Sequence, residues 1–147
     1  MKRGLAAAVL LSLCVWIPQR AMAQAKQDLG GTTWRLVKLT MSGQTVMPDD
    51  QQKYTLSFGK RGAVAIHADC NRGHARFTDP SGVLEINKVT LTRAHCAPGS
   101  IADQFARAIG FTESFTIRDG NLLLGISSTG DTLQFEPVPA KSKSAVR

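Results

Sequence analysis

Two short stretches hold the residues best suited to chemistry. HADCNRGH, residues 67–74, places His67, Cys70 and His74 within eight positions, with Asp69 and Asn71 flanking the sulfur. TRAHC, residues 92–96, sets His95 beside Cys96. Two cysteines with two of the three histidines could form a tetrahedral zinc or copper site. Cys70 could act as a nucleophile if His67, His74 or His95 served as its base. The third option is a disulfide corner, in which Cys70 pairs with Cys96 and the polar neighbours shape a turn. Strand parity weighs against the metal, because residues 67 and 70 would point to opposite faces and the adjacent His95 and Cys96 would diverge. The sequence contains no C-x-x-C and no H-x-x-x-H. A disulfide would also remove both sulfurs as ligands. No catalytic, cofactor-binding or metal residue is therefore assigned, and His67, His74 and His95 stand as alternative ligands only.

The remaining polar residues of these stretches have two readings each. Asn71, directly after Cys70, suits left-handed or self-bonded geometry at a strand-end corner, and Arg72 could lock that corner onto carbonyls. Asp69 could pair with Arg72 and Arg93, and those two arginines could instead recognise an anion. Serine and carboxylate catalysis have less support. There is no G-x-S-x-G elbow, and Glu85, Glu113 and Glu136 are scattered on or beside strands.

The compartment decides between thiol and disulfide. Lys2 and Arg3 precede the apolar run LAAAVLLSLCVWI, which is short for a membrane span. AMA (Ala21, Met22, Ala23) follows with small residues where a signal peptidase reads them, so residues 1–23 read as a signal peptide cleaved before Gln24. Lipoprotein processing at Cys14 is disfavoured, since Leu13 is bulky where a small residue is wanted. The expected location is across the inner membrane, in the periplasm. An even pair of cysteines in an oxidising compartment points to a Cys70–Cys96 disulfide.

Export also changes the charge. The chain carries a formal +7. Loss of Lys2, Arg3 and Arg20 takes its 18 basic residues to 15 against 11 acidic, a net +4. Lys141, Lys143 and Arg147 lie in the tail, so the body carries about +1. Nothing here reads as a nucleic-acid-binding face. A weak attraction of the tail to anionic surfaces is the residue of the high charge.

These residues must be positioned by strands. Period-2 alternation runs through YTLSF, AVAIH, VLEI, VTLT, FTI, LLLGI and TLQF. WRLVKL opens the series with Trp34, a core anchor, and Leu36; Leu39 then breaks the period, as a bulge or strand end would. DPSG (79–82), RDGN (118–121) and STGD (128–131) are turn signals. SIADQFARAIG alone reads as a helix, with Ser100 as N-cap, Gly110 at C′, and a stripe of Ile101, Phe105 and Ile109. The expectation is a mainly β (α+β) domain, residues 29–136. It comprises about eight or nine strands in a curved antiparallel sheet or small barrel with one helix plugging a side or end. A polar leader (24–28) and a flexible basic tail (137–147) flank it.

The order of these pieces is distinctive. GTTWRLVKL, LSF, GAVAIHADCNR, VTLTRAHC, ADQFARAI and FTIRDGNLLL, followed by GDTLQF, closely resemble the META domain family of HslJ-like heat-shock and envelope proteins. Asn71, Arg72, Thr92 and Arg93 match its pattern. Asp69 stands where the family has glycine, and His95 where a small residue is usual. The resemblance implies a compact β-barrel-like domain with one helix, no established enzymatic activity, and a part in envelope stress. Taken together, the expectation is an exported, non-enzymatic, stress-related module. It would have no cofactor and would act on an unidentified envelope protein or small ligand. The alternative is a carrier of a small apolar molecule or lipid in the barrel mouth.

Overall fold

The structure is a computed structural model that describes residues 28–79, 83–126 and 130–140. The signal peptide, most of the polar leader and most of the basic tail lie outside the described residues, as do residues 80–82 of DPSG and 128–129 of STGD.

Among the described residues nine strands form one antiparallel sheet: β1 (Thr32–Met41), β2 (Gln44–Val46), β3 (Tyr54–Phe58), β4 (Ala63–Ala68), β5 (Asn71–Thr78), β6 (Glu85–Leu91), β7 (Thr112–Arg118), β8 (Asn121–Ile126) and β9 (Asp131–Pro137). Their order is β6-β5-β4-β3-β1-β9-β8-β7, with β2 added to β1. The sheet curls into a half-barrel. Among the described residues, an isolated bridge pairs Val83, just before the outer strand β6, with Ser114 of the other outer strand, β7. Among the described residues one α-helix, α1 (Ala102–Gly110), packs against β4 and β6, and a single 3-10 turn, Gln51–Lys53, leads into β3.

The alternation in sequence becomes the two faces of this sheet. Leu36, Leu56, Val64, Ile66, Leu122, Leu124, Leu133 and Phe135 point inward and are buried. The stripe of α1 meets them: Phe105 and Ile109 are wholly buried, with Ala102 and Ala108 beside them. Phe105 packs edge-on against Tyr54, with ring centroids 5.6 Å apart, and also contacts Phe135. Trp34 is buried as expected, and its Nε1 donates to Thr32 Oγ1 at 2.7 Å. The break before Leu39 is a bulge: the β1–β9 register shifts between Leu36 and Lys38, and β1 continues to Met41. RDGN forms the tight β7–β8 turn, with Asp119 and Gly120 both at positive φ.

Two helix-end expectations are corrected. The N-cap is Ile101, not Ser100. The buried Tyr54 hydroxyl accepts the Ile101 N–H at 3.1 Å, and Ser100 Oγ accepts the Ala102 N–H at 3.3 Å. A residue from β3 thus satisfies an N–H that a local cap would otherwise take. Gly110 is the last helical residue, with Phe111 as C-cap, and its φ is not positive.

Candidate functional site

The HADCNRGH stretch is the hairpin joining β4 to β5. Ala68 and Asn71 are the last paired residues, so Asp69 and Cys70 form the connection. The left-handed residue is Asp69, with φ +56°, and not Asn71. Asp69 tolerates this conformation because a short polar side chain is less penalised there than a branched one. Its N–H donates to the Lys53 carbonyl at 2.7 Å, and its carboxylate lies 3.5 Å from Lys53 Nζ. The expected ion pair with Arg72 is replaced by a main-chain contact. Arg72 Nη1 donates to the carbonyls of Asp69 and Asn71, at 2.8 and 3.1 Å.

Cys70 is bonded to Cys96, with their Cα atoms 5.5 Å apart. The bond ties the β4–β5 turn to the segment that leads from β6 into α1. Asn71 completes the junction from below. It opens β5 facing inward, only 6 % exposed. Its Oδ1 accepts from the Ala94 N–H at 2.8 Å and from Thr92 Oγ1 at 2.9 Å. Its Nδ2 donates to the Ala94 carbonyl at 3.2 Å and lies 3.4 Å from Cys96 Sγ. The side-chain amide therefore uses both its donor and its acceptor on one loop. Thr92 adds two contacts to Arg72: its N–H donates to the Arg72 carbonyl at 2.9 Å, and its Oγ1 accepts the Arg72 N–H at 3.1 Å. Gly73 allows β6 to come this close, because a Cβ there would strike the Thr90 carbonyl.

The histidines are dispersed. His67 and His74 lie on the exposed side of the sheet, His67 opposite Arg72 and His74 between Ala65 and Thr90. His95 is exposed on the loop beyond. His67 Nε2 lies 2.9 Å from the Asp69 carbonyl. A carbonyl can only accept, so Nε2 carries the proton. Partial burial, and then the Arg72 guanidinium, hold the His67 pKa below its usual value. Among the described residues, no three His, Cys, Asp or Glu side chains are grouped as a metal ion would require. Arg93 is exposed and makes no ion pair among the described residues, while Arg72 Nη1 is turned to the Asp69 and Asn71 carbonyls.

Two shallow clefts border the corner. One of about 230 Å³ is lined by Asn71, His95, Cys96, Ser100 and Asp103. A smaller one of about 90 Å³ is lined by Asp49, Asp50, Lys53, Tyr54 and Asp69. Residues 97–100 line both. Several of the groups facing them are engaged: Asp50 Oδ1 accepts the Gln52 N–H, Asp69 faces Lys53, and Ser100 and Tyr54 hold the start of α1, whereas Asp49, His95 and Asp103 make no side-chain hydrogen bond or ion pair among the described residues. The chemistry supported is mechanical. A covalent bond and one buried amide clamp the loop that positions the helix. Tyr54, Thr92 and Lys53 were missed as members of this corner. Only the alternation of YTLSF and the family's Thr-Arg pair gave any signal for them.

The META domain model matches residues 27–139. The chain belongs to the META domain family. Its fold recurs in a protein from Burkholderia xenovorans solved by NMR, at 20 % identity with a TM-score of 0.65. That likeness covers 84 % of this chain and all of the other. A second NMR structure matches at 19 % identity and a TM-score of 0.56, over 74 % of this chain and 90 % of that one. A DUF4847 family protein from Bacteroides vulgatus matches at 12 % identity and a TM-score of 0.53, over 74 % of this chain and 93 % of that one. These identities carry the fold alone. No curated protein matches the chain. Among the described residues, no helix is long and apolar enough to cross a membrane.

Proposed function

We propose that this META domain is an exported, non-catalytic binding module of the cell envelope that contributes to stress tolerance through a partner or small ligand. The observation that carries this reading is the Cys70–Cys96 bond, with Asn71 committed to the loop it closes. Such a bond persists in an oxidising compartment, and residues 1–23 have the composition of an export signal. The most suggestive polar residues of the sequence are used to fix a loop, which favours binding over catalysis.

The test is to express the full chain with its own N-terminus, fractionate the cells, and weigh the intact product. The expected species begins at Gln24, lies outside the cytoplasm, and resists thiol alkylation until reduced. A cytoplasmic product with two free thiols would overturn the reading. Pull-down from envelope extract then addresses the partner. The second reading, a small-ligand carrier, is favoured by a partly apolar gap between the β1–β2 hairpin and α1.

A further inference from the structure

The β1–β2 hairpin turns tightly through Ser42 and Gly43, both at positive φ. Leu39 pairs with Val46, and Met41 with Gln44. Leu39 is buried, but Met41 and Val46 are only half-buried, and Met47 just beyond β2 is 68 % exposed. Across from them, α1 presents Gln104 and Arg107, one turn apart and both exposed. Hairpin and helix do not close on each other. They leave a cleft of about 200 Å³ lined from the hairpin by Leu39, Met41 and Val46 with Ser42 and Gln44, and from the helix by Gln104 and Arg107.

Arg107 lies one turn beyond Asp103 on α1 but does not pair with it. Among the described residues it makes no ion pair and no side-chain hydrogen bond. The carboxylate that touches this hairpin, Asp131, is occupied by the Ser42 N–H at 2.9 Å. An apolar wall facing an unpaired guanidinium is complementary to an apolar anion, and a planar carboxylate suits the guanidinium fork.

The described strand ends at Thr32 and Pro137 lie away from this place. The cleft lies at the Thr40–Thr132 end of the β1–β9 pair, whereas Trp34 pairs with Pro137 at the other end. The segments before Thr32 and after Pro137 thus depart about 20 Å away, at the usual rise of a strand. The tail is also basic, through Lys141, Lys143 and Arg147, and would be repelled by Arg107. The volume sets the size. A cavity of about 150 Å³ holds one benzene ring, and drug-sized ligands need roughly 300 Å³ or more.

We propose that the gap between the β1–β2 hairpin and α1 binds a small apolar carboxylate, a single ring or a chain of about six to eight carbons. Arg107 holds the carboxylate, Gln104 hydrogen-bonds beside it, and Leu39, Met41 and Val46 receive the apolar body. The proposal rests on the domain being a binder; it does not depend on export or on the disulfide, which the mass and fractionation test above decides separately.

The experiment is amide NMR of the purified full chain, titrated with octanoate and benzoate, and with octanol and octylammonium as controls of matched shape. Millimolar octanoate or benzoate is expected to give saturable shifts confined to residues 39–46 and 104–107. Octanol should bind more weakly and octylammonium least. Arg107→Glu, an exposed change, should weaken carboxylate binding at least tenfold and favour octylammonium instead. Met41→Gln should weaken all four probes. The rest of the spectrum reports that each variant remains folded. No saturable shift at these residues with either carboxylate, equal binding by octylammonium, or unchanged octanoate affinity in Arg107→Glu would each overturn the proposal.

Discussion

Asn71 is the residue on which the corner depends most. It is buried, and its amide is matched at both ends by the 92–96 loop. Asn71→Asp keeps the acceptor but removes the donor and sets a carboxylate against the Ala94 carbonyl. A loss of about 2–4 kcal/mol is expected from the broken hydrogen bonds and the buried charge, measured as a lower urea midpoint with the disulfide intact. Asn71→Leu should cost a similar amount, because it strands the Ala94 N–H. His67 gives a pH dependence. Its pKa is lowered in the folded protein, so the unfolded chain binds the proton more readily. Its contribution is fully present above about pH 6.5, the unfolded value, and is lost as pH falls through that value toward the folded one. Stability measured from pH 8 down to 5 should therefore decline, and His67→Gln should flatten that decline. The motif was legible in sequence as a turn beside a sulfur. Which residue took the left-handed position was not: Asp69 does so, at the position where the family pattern has glycine. Chain direction through a two-residue connection, rather than residue preference alone, fixed that choice.

At the scale of elements, the disulfide carries the β5–β6 pairing on into the segment that leads to α1. β6 ends at Leu91 and α1 begins at Ala102. Between them, Thr92, Ala94 and Cys96 are held to the β4–β5 turn. The bond spans 26 residues. Closing a loop of that length stabilises a fold by roughly 3–4 kcal/mol in the chain-entropy model. A Cys70→Ser, Cys96→Ser variant is expected to lose about that much by thermal or urea unfolding, with amide protection falling most at 92–101 and at the first turn of α1. A loss spread evenly across all strands would contradict the local role given to this bond. The strands themselves were largely readable, since alternation places apolar residues on one face whatever the neighbours. The helix start was readable to within one residue, since Ser100 Oγ does accept the Ala102 N–H, but the partner of the Ile101 N–H was not, because it is Tyr54 on β3, 47 residues before Ile101. Sequence reasoning looks for caps nearby, and a tertiary hydroxyl leaves no local trace.

For the whole molecule, the question is what holds an incompletely closed sheet together. Alternation specifies faces but not neighbours, so the order of strands was outside the reach of the sequence pattern. The first strand lies beside the last, and β1 sits between β3 and β9 near the middle of the sheet. Both outer strands, β6 and β7, therefore come from the middle of the chain, and one bridge links Val83 to Ser114. The helix compensates for the missing ladder by filling the concave side. Phe105 reaches Tyr54 and Phe135, and so touches strands on both sides of β1. Phe105 is thus a helix side chain that bridges the β3–β6 half and the β7–β9 half, beside the ladders of β1 with β3 and β9. Phe105→Ala should cost about 3–5 kcal/mol through lost burial and an unfilled cavity, read from urea unfolding. If the two halves depend on this contact for cooperativity, fluorescence and far-UV signals will separate in the variant while coinciding in the parent. Coincident transitions with an unchanged m-value would assign Phe105 to ordinary core packing, with the ladder through β3, β1 and β9 sufficient to keep the sheet one unit.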